Sequence, residues 1–308
     1  MRIEQELEQA HIDRDSVLTI GVFDGVHRGH QSLISKVIAE ADARGAASGV
    51  LTFRNHPDSV LNPNFQPQYI TSVDERIRLI EELGVDFVVP VTFDVNVAGL
   101  RAGKFAKLLR SELRMRGLVV GPDFAMGYRR EGNVEALSSL GGELGFSVSV
   151  VDLLSDGGDA VHSTSIRKAI VNGSVGDAAK KLGRNFSISG TVVTGEKLGR
   201  TLGFPTANIE VGPSMAIPGN GIYATIAVVD GKRHMAATSI GTRPTFDGKG
   251  RTIEAFLLGF DKNLYNRQLR LEFIQRLRDE LKFESVDDLL KQMELDVEQT
   301  RKLLQAEQ

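Results

Sequence analysis

The feature that most constrains this chain is the run at residues 16–30, Ser-Val-Leu-Thr-Ile-Gly-Val-Phe-Asp-Gly-Val-His-Arg-Gly-His. Val17, Leu18, Ile20, Val22 and Phe23 form a short, β-branched, apolar segment, the pattern of a strand buried in a parallel sheet. Asp24 and Gly25 end it, and from Gln31 apolar residues recur at helical spacing: Leu33, Ile34, Val37, Ile38 and Ala41. A turn of this kind leaves backbone N–H groups and the positive end of a helix dipole facing one point, which suits a phosphate. His27 and His30 could donate charge-assisted hydrogen bonds to the same anion. The glycines could also serve the bend alone. Two histidines aimed at one helix start tip the reading toward a nucleotide triphosphate site built on Gly21, Phe23, Asp24, Gly25, His27 and His30.

Strand and helix signals go on alternating. Gly45 closes the first helix, strands are predicted at 49–53, 86–93, 117–120 and 147–151, and helices at 71–83 and 102–115. This order predicts a parallel sheet with right-handed crossovers and a ligand beyond the carboxyl ends of its strands. Three more stretches fall on that edge. His56, in Arg54-Asn55-His56-Pro57, reads equally as a cleft residue or as a cap. The glycine-rich loop 121–133 offers Asp123 to a base or ribose and Arg129 or Arg130 to phosphate, or is a solvated surface loop. In 161–170, Ser163 or Thr164 reads as a helix cap with Arg167 one turn inside. Capping explains the hydroxyls but not Arg167. Asp74, Glu75 and Arg76 read as solvated charges on a helix face.

After helices at 165–172 and 175–182 the pattern changes. From Phe186 strand signals recur at 222–230, 234–240, 252–260 and 269–275 without intervening helices, with turns at Asp230-Gly231 and Asp247-Gly248. That is a small antiparallel barrel. A chain of 308 residues exceeds what one core usually organises, and the predicted domains are 1–184 and 185–308.

Within the second domain, Gly195, Gly199 and Gly203, with Lys197 and Arg200 between them, make a loop that can approach phosphate closely. It is not the Gly-x-x-x-x-Gly-Lys loop, so that mechanism does not transfer. Thr206 and Asn208 offer neutral oxygens suited to Mg²⁺ held mainly by water and substrate phosphates. Glu254 sits in an apolar strand, where a carboxylate must find a partner or face a cleft. Arg243 either touches phosphate or holds its own loop. The tail at 283–297 has Ser285 as cap and an apolar stripe of Val286, Leu289, Leu290, Met293 and Val297, predicted to cover the barrel.

Composition narrows the classes. With 41% hydrophobic and 25% charged residues the chain is an ordinary globular one, and a net charge of −3 without a long basic run argues against nucleic acid as partner. The absence of cysteine rules out disulfides, iron–sulfur clusters and thiolate zinc sites, and fits a reducing cytoplasm. No apolar stretch approaches the ~20 residues needed to span a bilayer. The expectation is a cytoplasmic monomer or weak homo-oligomer without a membrane partner.

The motifs resemble one family, in chain order. Gly-x-Phe-Asp-Gly-x-His-x-Gly-His at 21–30 is similar to the FMN-adenylating half of bacterial FAD synthetases, and Thr-Ser-x-Asp-Glu-Arg at 71–76 and Ser-Thr-x-Ile-Arg at 163–167 follow it. Gly-x-Pro-Thr-Ala-Asn at 203–208 resembles riboflavin kinases. The sequence departs from the family at Asn55, Met126, His162, Phe256 and Gly259. The resemblance implies an α/β plus β architecture, a Rossmann-like nucleotidylyltransferase domain followed by a riboflavin kinase barrel with a terminal helix. It implies phosphorylation of riboflavin to FMN by ATP and Mg²⁺ in the barrel, with Glu254 as general base and Gly195, Lys197, Gly199, Arg200, Gly203, Pro205, Thr206, Asn208 and Arg243 around flavin and ATP. It implies adenylyl transfer from a second ATP to FMN, giving FAD and pyrophosphate, with His27, His30, Asp123, Ser163, Thr164 and Arg167 at the phosphates. Alternatives are a working kinase beside a degenerate transferase, and a flavin-sensing module without turnover.

Overall fold

The computed structural model describes residues 3–152, 155–156, 159–195, 199, 202–245 and 248–305. The chain divides into two compact units, Met1–Ser163 and Thr164–Gln308. In the first, β1 (Ser16–Gly21), β2 (Ala47–Phe53), β3 (Phe87–Val91), β4 (Met115–Val120) and β5 (Ser147–Val150) form a parallel sheet in the order β3-β2-β1-β4-β5. Strand β1 lies at its centre and is buried along almost its whole length, as its β-branched run predicts. A helix that sequence periodicity missed, α1 (Ile3–Glu8), buries Ile3 and Leu7, while Glu6 accepts from the Thr92 N–H and hydroxyl at 2.9 and 2.8 Å.

Two boundaries near the centre of the sheet differ from the pattern in the sequence, for one reason. Strand β1 stops at Gly21 because Phe23 and Val26 take positive φ (51° and 39°), which breaks the ladder. The following helix α2 (Arg28–Arg44) starts a turn earlier than its apolar repeat, so both histidines stand at its first turn. It ends at Gly45 in the left-handed conformation (φ 61°). The helices α3 (Val73–Glu81), α4 (Ala102–Glu112) and α5 (Val134–Leu144) complete the layers.

The second unit carries most of α6 (Ser163–Val171), then α7 (Val175–Leu182) and a closed six-stranded barrel. Its strands are β6 (Phe186–Val193), β7 (Ala207–Glu210), β8 (Gly221–Val229), β9 (Lys232–Thr245), β10 (Gly248–Leu257) and β11 (Gln268–Arg278), in the order β6-β7-β10-β9-β8-β11, with β11 returning to β6. Asp230 and Gly231 both take positive φ (49° and 75°), the hairpin geometry that their sequence predicts. Asp247, of the second predicted turn, lies outside the described residues. The terminal helix α8 (Val286–Gln305) is capped by Ser285, whose Oγ accepts from the Asp288 N–H at 3.1 Å.

Helix α8 lies against the barrel, as expected, but only part of its apolar stripe meets a filled core. Its distal end covers the core, with Leu304 against Ala224 and Ile226. The predicted stripe does not: Val286 is 57% exposed, and Leu289, Met293 and Val297 line a cavity of ≈ 360 Å³. The helix is held over that hollow by Arg278, which donates from Nε and Nη2 to the buried Asp296 carboxylate at 2.8 and 2.6 Å. Asp296→Ala leaves Arg278 without its partner. A loss of about 3–5 kcal/mol is expected, read as a lower urea midpoint. An unchanged midpoint shows that α8 docks without the pair.

Candidate active sites

The turn between β1 and α2 puts two imidazoles at a helix start. His27 is the N-cap of α2, and its Nδ1 accepts from the His30 N–H at 3.3 Å. The rings stack with centroids 3.5 Å apart and planes at 19°, and Phe23 meets His30 edge-on at 5.1 Å. Gly29 is needed for this approach, since a Cβ there would stand 3.2 Å from His27 Nδ1 and 3.3 Å from its Cε1. His27 is buried, and His30 Nδ1 is buried without a hydrogen-bond partner. Burial, followed by the neighbouring His27, Arg76 and His162, holds the His30 imidazole well below the ordinary histidine range.

Asp24 serves the site by holding the turn. Its buried carboxylate accepts from the Ile70 N–H at 2.9 Å and the Thr71 N–H at 3.1 Å, while its carbonyl accepts from the Ser163 hydroxyl at 3.0 Å. Gly25, at φ 82°, donates its N–H to Thr71 Oγ1 at 3.1 Å. Arg76 overturns its reading as a solvated charge: it is 0% exposed. Its Nη1 donates to the Phe53 carbonyl at 2.6 Å, and its guanidinium lies 5.9 Å from the Tyr69 ring centroid. The apolar repeat at Ile77, Ile80 and Leu83 leaves Arg76 among the solvated charges. Its burial follows from the end of β2 at Phe53 and the ring of Tyr69 meeting it.

The remaining predicted residues of this half fall as follows. Asp123 is exposed, and its carbonyl accepts from Arg130 Nη2 at 2.9 Å. Met126 is in the core beside Phe105 and Leu137. His56 acts as a local cap, its Nδ1 accepting from the Asp58 N–H at 3.2 Å, and its ring stacks on Phe65. Asn55 zips its loop to Phe93, exchanging 2.9 Å bonds with that residue's N–H and carbonyl. Thr164 and Arg167 belong to the second unit, where Arg167 Nη1 lies 3.5 Å from Thr164 Oγ1, and their phosphate role rests on the motif alone.

The barrel builds its site on alternation. Along β7, Ala207 and Ile209 point inward and Asn208 outward, while along β10 Ile253 and Ala255 point inward and Glu254 outward. Asn208 pairs across the ladder with Glu254, and Thr206 Oγ1 donates to Glu254 Oε2 at 3.3 Å. Thr206 lines two hollows. One, of ≈ 360 Å³, is walled by Phe204, Phe256, Glu254 and α8, and Phe204 and Phe256 meet edge-on at 5.3 Å. The other, of ≈ 590 Å³, is walled by Gly195, Pro205, Asn208, Phe260 and residues 261–265. Gly195 and Gly199 make room here: a Cβ at 195 would stand 2.2 Å from Asn208 Nδ2, and one at 199 would stand 3.3 Å from Thr206 Oγ1. Gly203 takes φ 86° in the turn before β7, and Gly259 is exposed at φ 70°. Lys197 and Arg200 lie outside the described residues. Arg243 is described only by its backbone, in β9 opposite Gly250.

The two candidate sites are built by unrelated means, one per unit, and each unit matches a different enzyme family. Residues 9–165 match the FAD synthetase family model, and residues 182–304 match the riboflavin kinase model. The chain is 36% identical to the bifunctional riboflavin kinase/FMN adenylyltransferase of Listeria monocytogenes, over 94% of this chain and 92% of that one. It is 37% identical to the Escherichia coli (strain K12) protein of the same name, over 91% and 90%. A solved structure described as a macrolide-efflux protein from Streptococcus pneumoniae superposes with a TM-score of 0.89 at 30% identity, covering 96% of both chains. Among the described residues, no helix is long and apolar enough to cross a membrane. The chain belongs to the bifunctional riboflavin kinase/FMN adenylyltransferase family.

The state of His30 makes the first unit sensitive to acid. The unfolded chain takes up a proton there near pH 6.5, whereas the folded one resists it, so stability is full above that pH and is lost as pH falls below it. Urea midpoints measured from pH 8 to pH 5 are expected to fall less in His30→Asn than in the parent. Identical slopes would show that His30 carries no such linkage.

Proposed function

We propose that the barrel phosphorylates riboflavin to FMN and that the first unit transfers adenylyl from a second ATP to FMN. The observation that carries this reading is the presence of two separately built sites, one in each unit. In the barrel, the hollow walled by Phe204 and Phe256 suits a flat ring system and the hollow walled by Asn208 suits a nucleotide, and the two meet at Thr206. Glu254, at that junction, accepts the proton of the riboflavin 5′-hydroxyl as its oxygen attacks the γ-phosphorus and ADP leaves. Thr206 and Asn208 fit a hard cation: both are neutral oxygen donors on one outward face, and Thr206 gives its proton to Glu254, leaving lone pairs free. Mg²⁺ bound there supplies positive charge against the transferring phosphoryl group. Gly203 and Pro205 shape the turn that presents Thr206, and Gly195 and Gly199 keep the approach open.

In the first unit the FMN phosphate attacks the α-phosphorus of ATP and pyrophosphate leaves, with no covalent enzyme intermediate. The amides at the start of α2 and the two imidazoles hold the phosphates where charge develops, and the Ser163 hydroxyl bonds the Asp24 carbonyl of the turn. The small-molecule partners are riboflavin, FMN and ATP, and we place the reaction in the cytoplasm.

Chromatography of products from riboflavin, ATP and Mg²⁺ tests both halves. His30→Ala is expected to lose FAD formation on the order of 10²-fold or more while FMN accumulates. Glu254→Ala should make little FMN yet convert supplied FMN to FAD. Equal loss of both products in either variant would refute two independent sites.

A further inference from the structure

The wall of the ≈ 360 Å³ hollow in the second unit carries an acidic side chain that takes no part in the proposed phosphoryl transfer. Among the described residues three carboxylates line it: Glu254, the proton acceptor, Asp296, occupied by the Arg278 guanidinium, and Glu280, just after β11. We propose that Glu280 is a specificity-determining residue of the kinase half, its carboxylate accepting a hydrogen bond from the imide N3–H of the flavin ring. This rests on the riboflavin kinase reading of the barrel.

Glu280 is presented by a bracket of residues from separate parts of the barrel. Its Oε2 accepts from Asn220 Nδ2 at 2.8 Å. Asn220 is itself held twice, its Oδ1 accepting from Arg251 Nη2 at 3.1 Å and its carbonyl from Arg276 Nη2 at 2.5 Å. Arg251 also donates from Nη1 to the Ile217 carbonyl at 3.1 Å, so the loop before β8 is tied to β10 and β11 together. A glutamate that served only solubility would need no such anchor. The other oxygen stands over β9: a Cβ at Gly241 would lie 2.4 Å from Glu280 Oε1, so the glycine gives that oxygen its place. Among the described residues Oε1 accepts no hydrogen bond. One oxygen is thus anchored and the other is offered, by a group that can only accept. Glu280 is exposed, so its charge carries no burial cost until a ligand covers it.

Its place in the hollow selects the donor. On one face of β9 and β10, Ala237 lies opposite Phe256, Ser239 opposite Glu254 and Gly241 opposite Thr252. Successive residues on a face are about 7 Å apart along a strand. Glu280, above Gly241, therefore stands one repeat beyond the reacting hydroxyl at Glu254 and does not share it. The flavin has another donor well away from that hydroxyl. Its ring carries a single N–H, at N3 between two carbonyls, and every other heteroatom on the edge of the oxidised ring accepts. Leu289, Met293 and Val297 supply apolar cover for the ring face. A methyl group on N3 would press on the carboxylate and leave it without a donor.

The test uses the full chain with ATP and Mg²⁺ and follows 5′-phosphate formation from riboflavin and from 3-methylriboflavin, which differs only at N3. The parent is expected to prefer riboflavin by about 10- to 100-fold in kcat/KM, the range for a hydrogen bond to a charged group. Glu280→Ala should raise the riboflavin KM by about the same factor with kcat largely kept, and should lose the preference. A merely structural role would instead lower turnover of both flavins and leave their ratio. Asn220→Ala, which releases the anchored oxygen, should raise KM less and narrow the preference in part. Equal kcat/KM for the two flavins in the parent overturns the proposal and needs no variant. So does a preference that survives intact in Glu280→Ala. Should Glu280→Ala instead lose a preference for riboflavin over 2′-deoxyriboflavin, the contact belongs to the ribityl chain and the proposal falls as stated. No phosphorylation of riboflavin by the parent would refute the kinase reading itself, a distinct outcome.

Discussion

A buried carboxylate that gathers main-chain N–H groups holds the turn of the first unit in place. Asp24 accepts two main-chain N–H groups from the 70–71 loop, and its carbonyl takes the Ser163 hydroxyl. Around it Phe23 and Val26 sit at positive φ, a conformation that costs roughly 1–3 kcal/mol at each such residue. The strain persists because the turn is tied on every side: Gln31 Nε2 also donates to the Val26 carbonyl at 2.8 Å. Without those ties the chain would relax into more strand or more helix. With them, it delivers two imidazoles and a helix N-terminus to one point.

The barrel positions its site by strand alternation instead. A closed six-stranded barrel leaves no free edge, and each strand must alternate between core and outside. Ala207, Ile209, Ile253 and Ala255 satisfy the core, which obliges Thr206, Asn208 and Glu254 to share the opposite face. The charged group is thus a by-product of packing, kept half in water and spared the desolvation cost of a buried carboxylate.

The two sites answer the same electrostatic problem with opposite means. On the proposed function, one surrounds its phosphates with donors, and the other offers oxygens and a carboxylate and relies on a cation arriving with the substrate. This explains how a chain of net charge −3 can handle anionic nucleotides twice. The countercharge is local, and a few side chains at each site outweigh the surface as a whole.

Local pattern in the sequence, though not enough for α1, α5 or β7, was enough for the five strands of the parallel sheet, the strand, turn and helix around His27 and His30, and the change from alternating α/β to barrel after the helices at 163–182. These are legible because strand and helix periods and glycine turns depend on neighbours within a few residues. What only the tertiary structure decided depends on residues far apart in the chain. Arg76 looks like any helix-face charge until the end of β2 and Tyr69 meet it, and Asp24 looks like a phosphate contact until Ile70 and Thr71 arrive at its oxygens. Likewise the apolar stripe of α8 carries no sign of whether it meets a filled core or a hollow, because the volume beneath it is set by β9, β10 and the loop before β7. Burial is a property of the assembled fold, set by residues far apart in the chain, and no local pattern announces it.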